Sequence, residues 1–209
     1  MLSLDIKLYR GDLPDEFMAG VRQSIAVDTE AMGLSPHRDR LCVVQFCCGD
    51  DRCCLVQFDD YANAHNVRSV LRDDKILKIF HYARFDVSMF YKHLGVMAQN
   101  VYCTKIASKF ARTYAAGHSL RDLCLELLGV EISKEQTCTD WGGEHLTEAQ
   151  QEYAATDVIY LHALKAKLDS MLYREGRYDM AMKCFDFLQT RVILDLTAGE
   201  QYDIFSHST

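Results

Sequence analysis

Short apolar runs rich in β-branched and aromatic side chains dominate the first part of the chain. "SIAVDTE", "LCVVQFCC", "RCCLVQF" and "ILKIFHY" have the length and composition of strands. "NVRSVLRD", between the third and fourth runs, reads as a helix. After residue 83 the apolar period lengthens to that of a helix. "RFDVSMFYKHLG" places Phe85, Met89 and Phe90 on one side and stops at Gly95. "SLRDLCLELLG" runs from a Ser119 N-cap to Gly129 just past its end. "LTEAQQEYAATDVIYLHALKAKL" opens with Thr147 and Gln150 at the spacing of a capping box. The helical pattern then persists to about Leu196. Strands first and helices after predict an α/β sheet with a helical C-terminal half. With two prolines and no linker-like stretch or repeat, residues 1–209 read as one domain.

Acidic residues interrupt this apolar pattern at three places. In "SIAVDTEAMG", Asp28 and Glu30 close an apolar strand one residue apart. Strand alternation points both the same way, with Cβ atoms about 6.5 Å apart. Asp86 opens the helix after the fourth predicted strand, and Asp157 stands among Ala154, Ala155, Val158 and Ile159. Tyr153 lies one helical turn before Asp157, on the same face. Singly, each has an ordinary reading: Asp86 as a charge at a helix N-terminus, Tyr153 as core. Together they form a set of hard oxygen donors that suits Mg²⁺ or Mn²⁺ rather than zinc. A pair of such ions about 3.5–4 Å apart is a known device for phosphodiester hydrolysis. It would also neutralise the repulsion between Asp28 and Glu30.

Composition narrows the classes. The chain is 49% apolar and 25% charged, an ordinary soluble mixture. Its formal net charge of −7 argues against coating long nucleic acid through a broad basic surface, though not against a short nucleic-acid substrate. No apolar run is long enough to span a membrane, and "MLSLDIKLYRGDLPDEF" has no signal-peptide pattern, so a cytoplasmic location is expected. The nine cysteines are then expected to be reduced. In "CCGDDRCC", Cys47, Cys48, Cys53 and Cys54 could hold zinc. However, two strands joined by a turn at Gly49 to Asp51 would alternate their thiols between faces, so packing is the expectation.

The motifs resemble those of the DEDD exonucleases, in the DEDDy branch typified by RNase D. Asp28-Thr29-Glu30 matches the first motif, His81 to Asp86 the second, and Tyr153 with Asp157 the third. "SPHRDRLCVVQ", "CTKIASKFARTY" and "FLQTRVILDL" look similar to the compact nanoRNase C type. Gly142 to His145 stand where RNase D usually carries an Arg-Pro pair, and no room is expected for the helical nucleic-acid-binding domains of RNase D. The resemblance implies an RNase H-like (DnaQ-like) mixed sheet flanked by helices. It implies a metal-dependent 3′→5′ exoribonuclease degrading short RNA, dinucleotides above all, to nucleoside 5′-monophosphates. It also implies assembly as a homo-oligomer.

By that resemblance Asp28, Glu30 and Asp157 hold a first Mg²⁺ or Mn²⁺, and Asp28 and Asp86 serve a second. Tyr153 orients or helps deprotonate the attacking water; a phenol pKa near 10 favours orientation. Met32 and Leu34 follow the first motif, where the family lays an apolar wedge against the terminal bases; loop packing is an equal reading. His81 is a candidate contact to the terminal sugar or phosphate, or else a structural hydrogen bond. Lys105, Lys109 and Arg112 fall on one helical stripe, for phosphate or else a solvated face or a subunit contact. Trp141 is a base-stacking residue or is buried against the sheet. The alternatives are an RNase D-like enzyme trimming longer or structured RNA 3′ ends or single-stranded DNA, an inactive nucleic-acid-binding module, and a zinc-binding protein.

Overall fold

In a computed structural model, described for residues 4–50, 52–132 and 139–207, one six-stranded mixed sheet carries the core. Its strands are β1 (Asp5–Arg10), β2 (Ser24–Ala31), β3 (Leu41–Cys47), β4 (Arg52–Gln57), β5 (Leu77–Phe80) and β6 (Val101–Cys103). Their order is β1-β4-β3-β2-β5-β6. β3 runs antiparallel to β2 and β4; the pairs β1–β4, β2–β5 and β5–β6 are parallel. The helices are α1 (Asp15–Met18), α2 (His65–Arg72), α3 (Ala83–Met89), α4 (Thr104–Ala111), α5 (Leu120–Leu123), α6 (Glu148–Ile159), α7 (Leu161–Arg174) and α8 (Tyr178–Ala198). The expected architecture, a mixed sheet flanked by helices with a helical C-terminal half, is the one observed.

The four predicted strands correspond to β2, β3, β4 and β5. All seven residues of β3 are buried, as a central strand covered on both faces requires. β1 and β6 lie outside the sequence reading. β1 is an edge strand that mixes Asp5, Lys7 and Arg10 with its apolar positions, and β6 has only three residues. α3 and α5 each continue into a π-helical turn, Phe90–Leu94 and Cys124–Leu128. These turns stop at Gly95 and Gly129, whose φ values of 63° and 69° favour glycine. The expected capping box of Thr147 with Gln150 forms, and the Ser119 N-cap proves to be a capping box as well, with Asp122. The long helical pattern after Thr147 divides at Tyr160 (φ −90°, ψ −9°) into α6 and α7.

The cysteines pack as expected. Cys47 faces Cys53 across the β3–β4 ladder while Cys54 faces Phe46, and none of the eight described cysteines forms a disulfide. Of the predicted turn, Asp51 lies outside the described residues. No described helix is long and apolar enough to cross a membrane. α6 packs across β4, β3 and β2, whereas α3, α7 and α8 surround β5, β6 and α4. The end of β2 therefore lies between α6 and α3, the two helices that carry Asp157 and Asp86.

Candidate active site

β2 delivers Asp28 and Glu30 to the floor of an open cleft of about 760 Å³. A register shift between Glu30 and Ala31 ends regular pairing with β3 there. α6 brings Asp157 to the same point, and one carboxylate oxygen each from Asp28, Glu30 and Asp157 lie within 4.8 Å of one another. Tyr153, one turn earlier on α6, hydrogen-bonds Asp157. Asp86, on the first turn of α3, is 2% exposed and accepts a 2.7 Å bond from the Thr29 hydroxyl. The Gln45 amide donates to Glu30 Oε1 at 3.4 Å.

The electrostatics of this cluster are unfavourable without a cation. Burial, then the charges of Asp86, Asp157 and Glu30, push the Asp28 carboxyl well above the carboxylate range. Burial and the charges of Asp157 and Asp86 raise Glu30 to about 9. Burial raises Asp86 to about 7, opposed by the Thr29 hydrogen bond. It also raises Asp157 to about 7, opposed by the Tyr153 hydrogen bond. A cluster of acidic oxygens that resists ionising together is the donor set that hard divalent ions stabilise.

The remaining candidates divide. Met32 is 51% exposed and Leu34 is 87% exposed, both beside the cleft. Gly142 faces Met32 so closely that a Cβ there would stand 2.4 Å from its sulfur, so any other residue at this position would displace the Met32 side chain. His81 lines the cleft and its Nδ1 lies 2.8 Å from Thr104 Oγ1. The Thr104 hydroxyl donates to the Phe80 carbonyl, so its oxygen accepts from His81 Nδ1–H. Burial holds this imidazole neutral, with a pKa lowered to about 3, which leaves Nε2 as an acceptor.

Lys105 borders a neighbouring groove instead, with its ammonium 4.6 Å from the centre of the Tyr82 ring; Tyr82 lines both spaces. The predicted basic stripe does not hold together. Arg112 is 1% exposed, ion-pairs with Glu126 and donates to Ser108 Oγ and the Gly117 carbonyl, so it cannot reach a phosphate. Trp141 is buried beside Cys42, Val43 and Leu55, its ring 6.1 Å from that of Tyr153. It backs the tyrosine rather than offering a stacking face.

Sequence reasoning did not single out Thr29, Arg84 or Asp195 as parts of the cleft. Thr29 was visible inside the first motif, but strand alternation assigns it to the opposite face. Asp195 had a signal: an acid in the apolar run "RVILDL", four residues after Arg191.

A family described as 3′–5′ exonuclease matches residues 12–173. The chain is 32% identical to ribonuclease D of Gluconacetobacter diazotrophicus over 158 residues, 74% of this chain and 39% of that protein. It is 32% identical to Escherichia coli ribonuclease D over 146 residues, 69% of this chain and 38% of that one. It thus spans about two fifths of the length of these curated relatives. Among solved structures, Brucella melitensis NrnC bound to pGG superposes with a TM-score of 0.94 at 48% identity, covering 99% of this chain and 100% of that one. The same protein with bound Mg²⁺ gives a TM-score of 0.91 at 47% identity over 98% and 100%. Escherichia coli RNase D gives a TM-score of 0.73 at 27% identity over 85% and 46%. The mixed sheet is therefore the RNase H-like (DnaQ-like) one, and the chain belongs to the 3′–5′ exonuclease family and, within it, to the RNase D family in its nanoRNase C type.

Proposed function

We propose that this chain is a 3′→5′ exoribonuclease that hydrolyses short RNA, dinucleotides above all, to nucleoside 5′-monophosphates. One observation carries the reading: oxygens of Asp28, Glu30 and Asp157 converge within 4.8 Å in an open cleft, with Asp86 beside them and Tyr153 bonded to Asp157. Asp28, Glu30 and Asp157 would hold one Mg²⁺ or Mn²⁺, and Asp28 and Asp86 a second. Such a pair, when bound, supplies an activated water and charge for the leaving oxygen. A water oxygen attacks phosphorus, the P–O3′ bond breaks, and the leaving O3′ takes up a proton to become the 3′-hydroxyl of the remaining nucleoside or chain. Tyr153 orients that water. Leu34 and Met32 pack against the terminal bases. His81, an acceptor at Nε2, suits a sugar hydroxyl better than a phosphate, which offers no proton.

The short-substrate reading draws on the solved relative bound to pGG and on the net charge of −7, which provides little long-range attraction for a polyanion. The family resemblance suggests a cytoplasmic homo-oligomer, and sedimentation of the pure protein measures its size. The test of function is incubation with labelled RNAs of graded length, with and without Mn²⁺. The expected result is metal-dependent release of nucleoside 5′-monophosphates, with the highest kcat/KM at two nucleotides. Faster cleavage of a long RNA or of single-stranded DNA would instead favour an RNase D-like trimming enzyme.

A further inference from the structure

We propose that Asp195, on the last turn of α8, is a positioning residue for hydrolysis: it grips Arg84 and so fixes the first turn of α3, from which Asp86 meets the cleft. The proposal rests on the reading of Asp86 as part of the metal-holding set.

The segment "FLQTRVILDL" lies far along the chain from all three acidic motifs, yet the fold brings its acid to the cleft wall. Asp195 is 3% exposed and sits where a helix terminus already carries partial negative charge, so its carboxylate demands cations. Two are present. Arg84 engages it with two prongs, Nε to Oδ2 at 2.5 Å and Nη2 to Oδ1 at 2.7 Å. Arg191, one turn earlier on α8, donates from Nε to Oδ1 at 2.8 Å. A two-pronged guanidinium–carboxylate pair fixes direction as well as distance.

Three segments around the cleft meet at this point. Arg84 also donates to the Glu200 carbonyl at 2.8 Å, and Arg191 to the Tyr202 carbonyl at 2.7 Å. His37, in the loop that follows Met32 and Leu34, donates from Nε2 to the Asp195 carbonyl at 3.2 Å. Arg84 is itself part of α3: its carbonyl accepts the Ser88 hydroxyl, and Asp86 is two residues further on. Tyr82, just before α3, holds a left-handed φ of 70°, a conformation that persists in a non-glycine residue only where its surroundings enforce it. The Asp195 grip adds a tertiary constraint two residues later, at Arg84. Arg84, Asp195 and Glu200 all line the cleft.

The test compares wild type, Asp195→Asn, Arg84→Gln and the double variant, with Asp86→Ala as reference. Thermal melting establishes folding, calorimetry with Mn²⁺ alone gives metal affinity, and dinucleotide hydrolysis gives kcat and KM. Partners that orient a metal-binding group are worth about 10–100-fold. Asp195→Asn is therefore expected to lower kcat and Mn²⁺ affinity by about that factor with KM nearly unchanged. Because Asp195 acts through Arg84, the double variant should be no slower than Arg84→Gln. Folded Asp195→Asn with wild-type kcat and Mn²⁺ affinity, losses that multiply in the double variant, or a rise in KM alone would each overturn the proposal. Should Asp195→Asn not fold, Arg84→Lys carries the test: it keeps the charge and loses the fork. A fall of about tenfold or more supports the grip, and a wild-type rate refutes it. An active Asp86→Ala would instead remove the underlying reading of the site.

Discussion

The Thr29 hydroxyl donates to Asp86 Oδ1 at 2.7 Å, which ties the middle of the DTE motif on β2 to the first turn of α3. The threonine between two candidate metal ligands thus holds a third acid that lies far away in sequence. Its hydrogen bond lowers the Asp86 pKa against the effect of burial.

Thr29→Val keeps the shape and removes that donor. Asp86, already at about 7, should then rise further and hold its proton more firmly at neutral pH. At limiting Mn²⁺ the acidic limb of the kcat/KM–pH profile is expected to move to higher pH. Near neutrality the loss should be about tenfold or more, given about 1.5–3 kcal/mol for a hydrogen bond to a charged group. An unshifted limb in the folded variant would mean that Thr29 does not tune Asp86.

The metal-free protein should have a distinctive pH dependence. Asp28, Glu30, Asp86 and Asp157 all have raised folded-state pKa values. Between the ordinary carboxylate range and about 7, the folded chain keeps protons on Asp86 and Asp157 that the unfolded chain has released. Stability therefore falls as pH rises through that window, and Glu30 extends the fall towards about 9. His81, His93, His118 and His162 are held below the usual imidazole range and oppose this fall until about pH 6.5, so in EDTA Tm should decline from about pH 6.5 to pH 8, and Mn²⁺ should restore most of the loss. Asp28→Asn should raise the EDTA Tm at pH 8 by a few degrees, about 1 kcal/mol or more, while abolishing turnover. A metal-free Tm that climbs over this range would contradict the clustered-acid picture.

Tyr153→Phe deletes one hydroxyl and leaves the ring packed on Trp141. A positioned proton-handling group contributes about 10²–10⁴-fold, so kcat should fall within that range. Loss of the hydrogen bond also lets Asp157 rise above about 7, so the remaining activity should favour higher pH. Near wild-type kcat would reduce Tyr153 to packing.

Leu34 is 87% exposed, so Leu34→Ala should leave Tm unchanged within error. If its side chain packs on a base, the variant loses substrate binding worth about 1–2 kcal/mol, read as a KM increase of about 5–30-fold with kcat retained. An unchanged KM for dinucleotides would assign Leu34 to the loop alone.

The chemistry of this protein was legible in its sequence because the acids interrupt apolar segments. Asp28, Glu30 and Asp157 stand where local hydrophobicity leaves a charge no local explanation, and Tyr153 lies one helical turn from Asp157. The central strands, the Ser119 N-cap and the Thr147–Gln150 capping box were visible for a similar reason, since they depend on neighbours within a few residues. Edge strand β1 was not, because its charged positions blur the alternation, nor was β6, too short to show a period. Only the tertiary structure decided which side chains share the cleft. Strand alternation alone would separate Thr29 from Asp86, and helical spacing alone would place Arg112 beside Lys105 and Lys109 rather than sealed against Glu126. Asp195 meets Arg84 across 111 residues of chain. Such long-range pairings arise when the fold buries a charge and must satisfy it, and local sequence spacing carries no record of the partner.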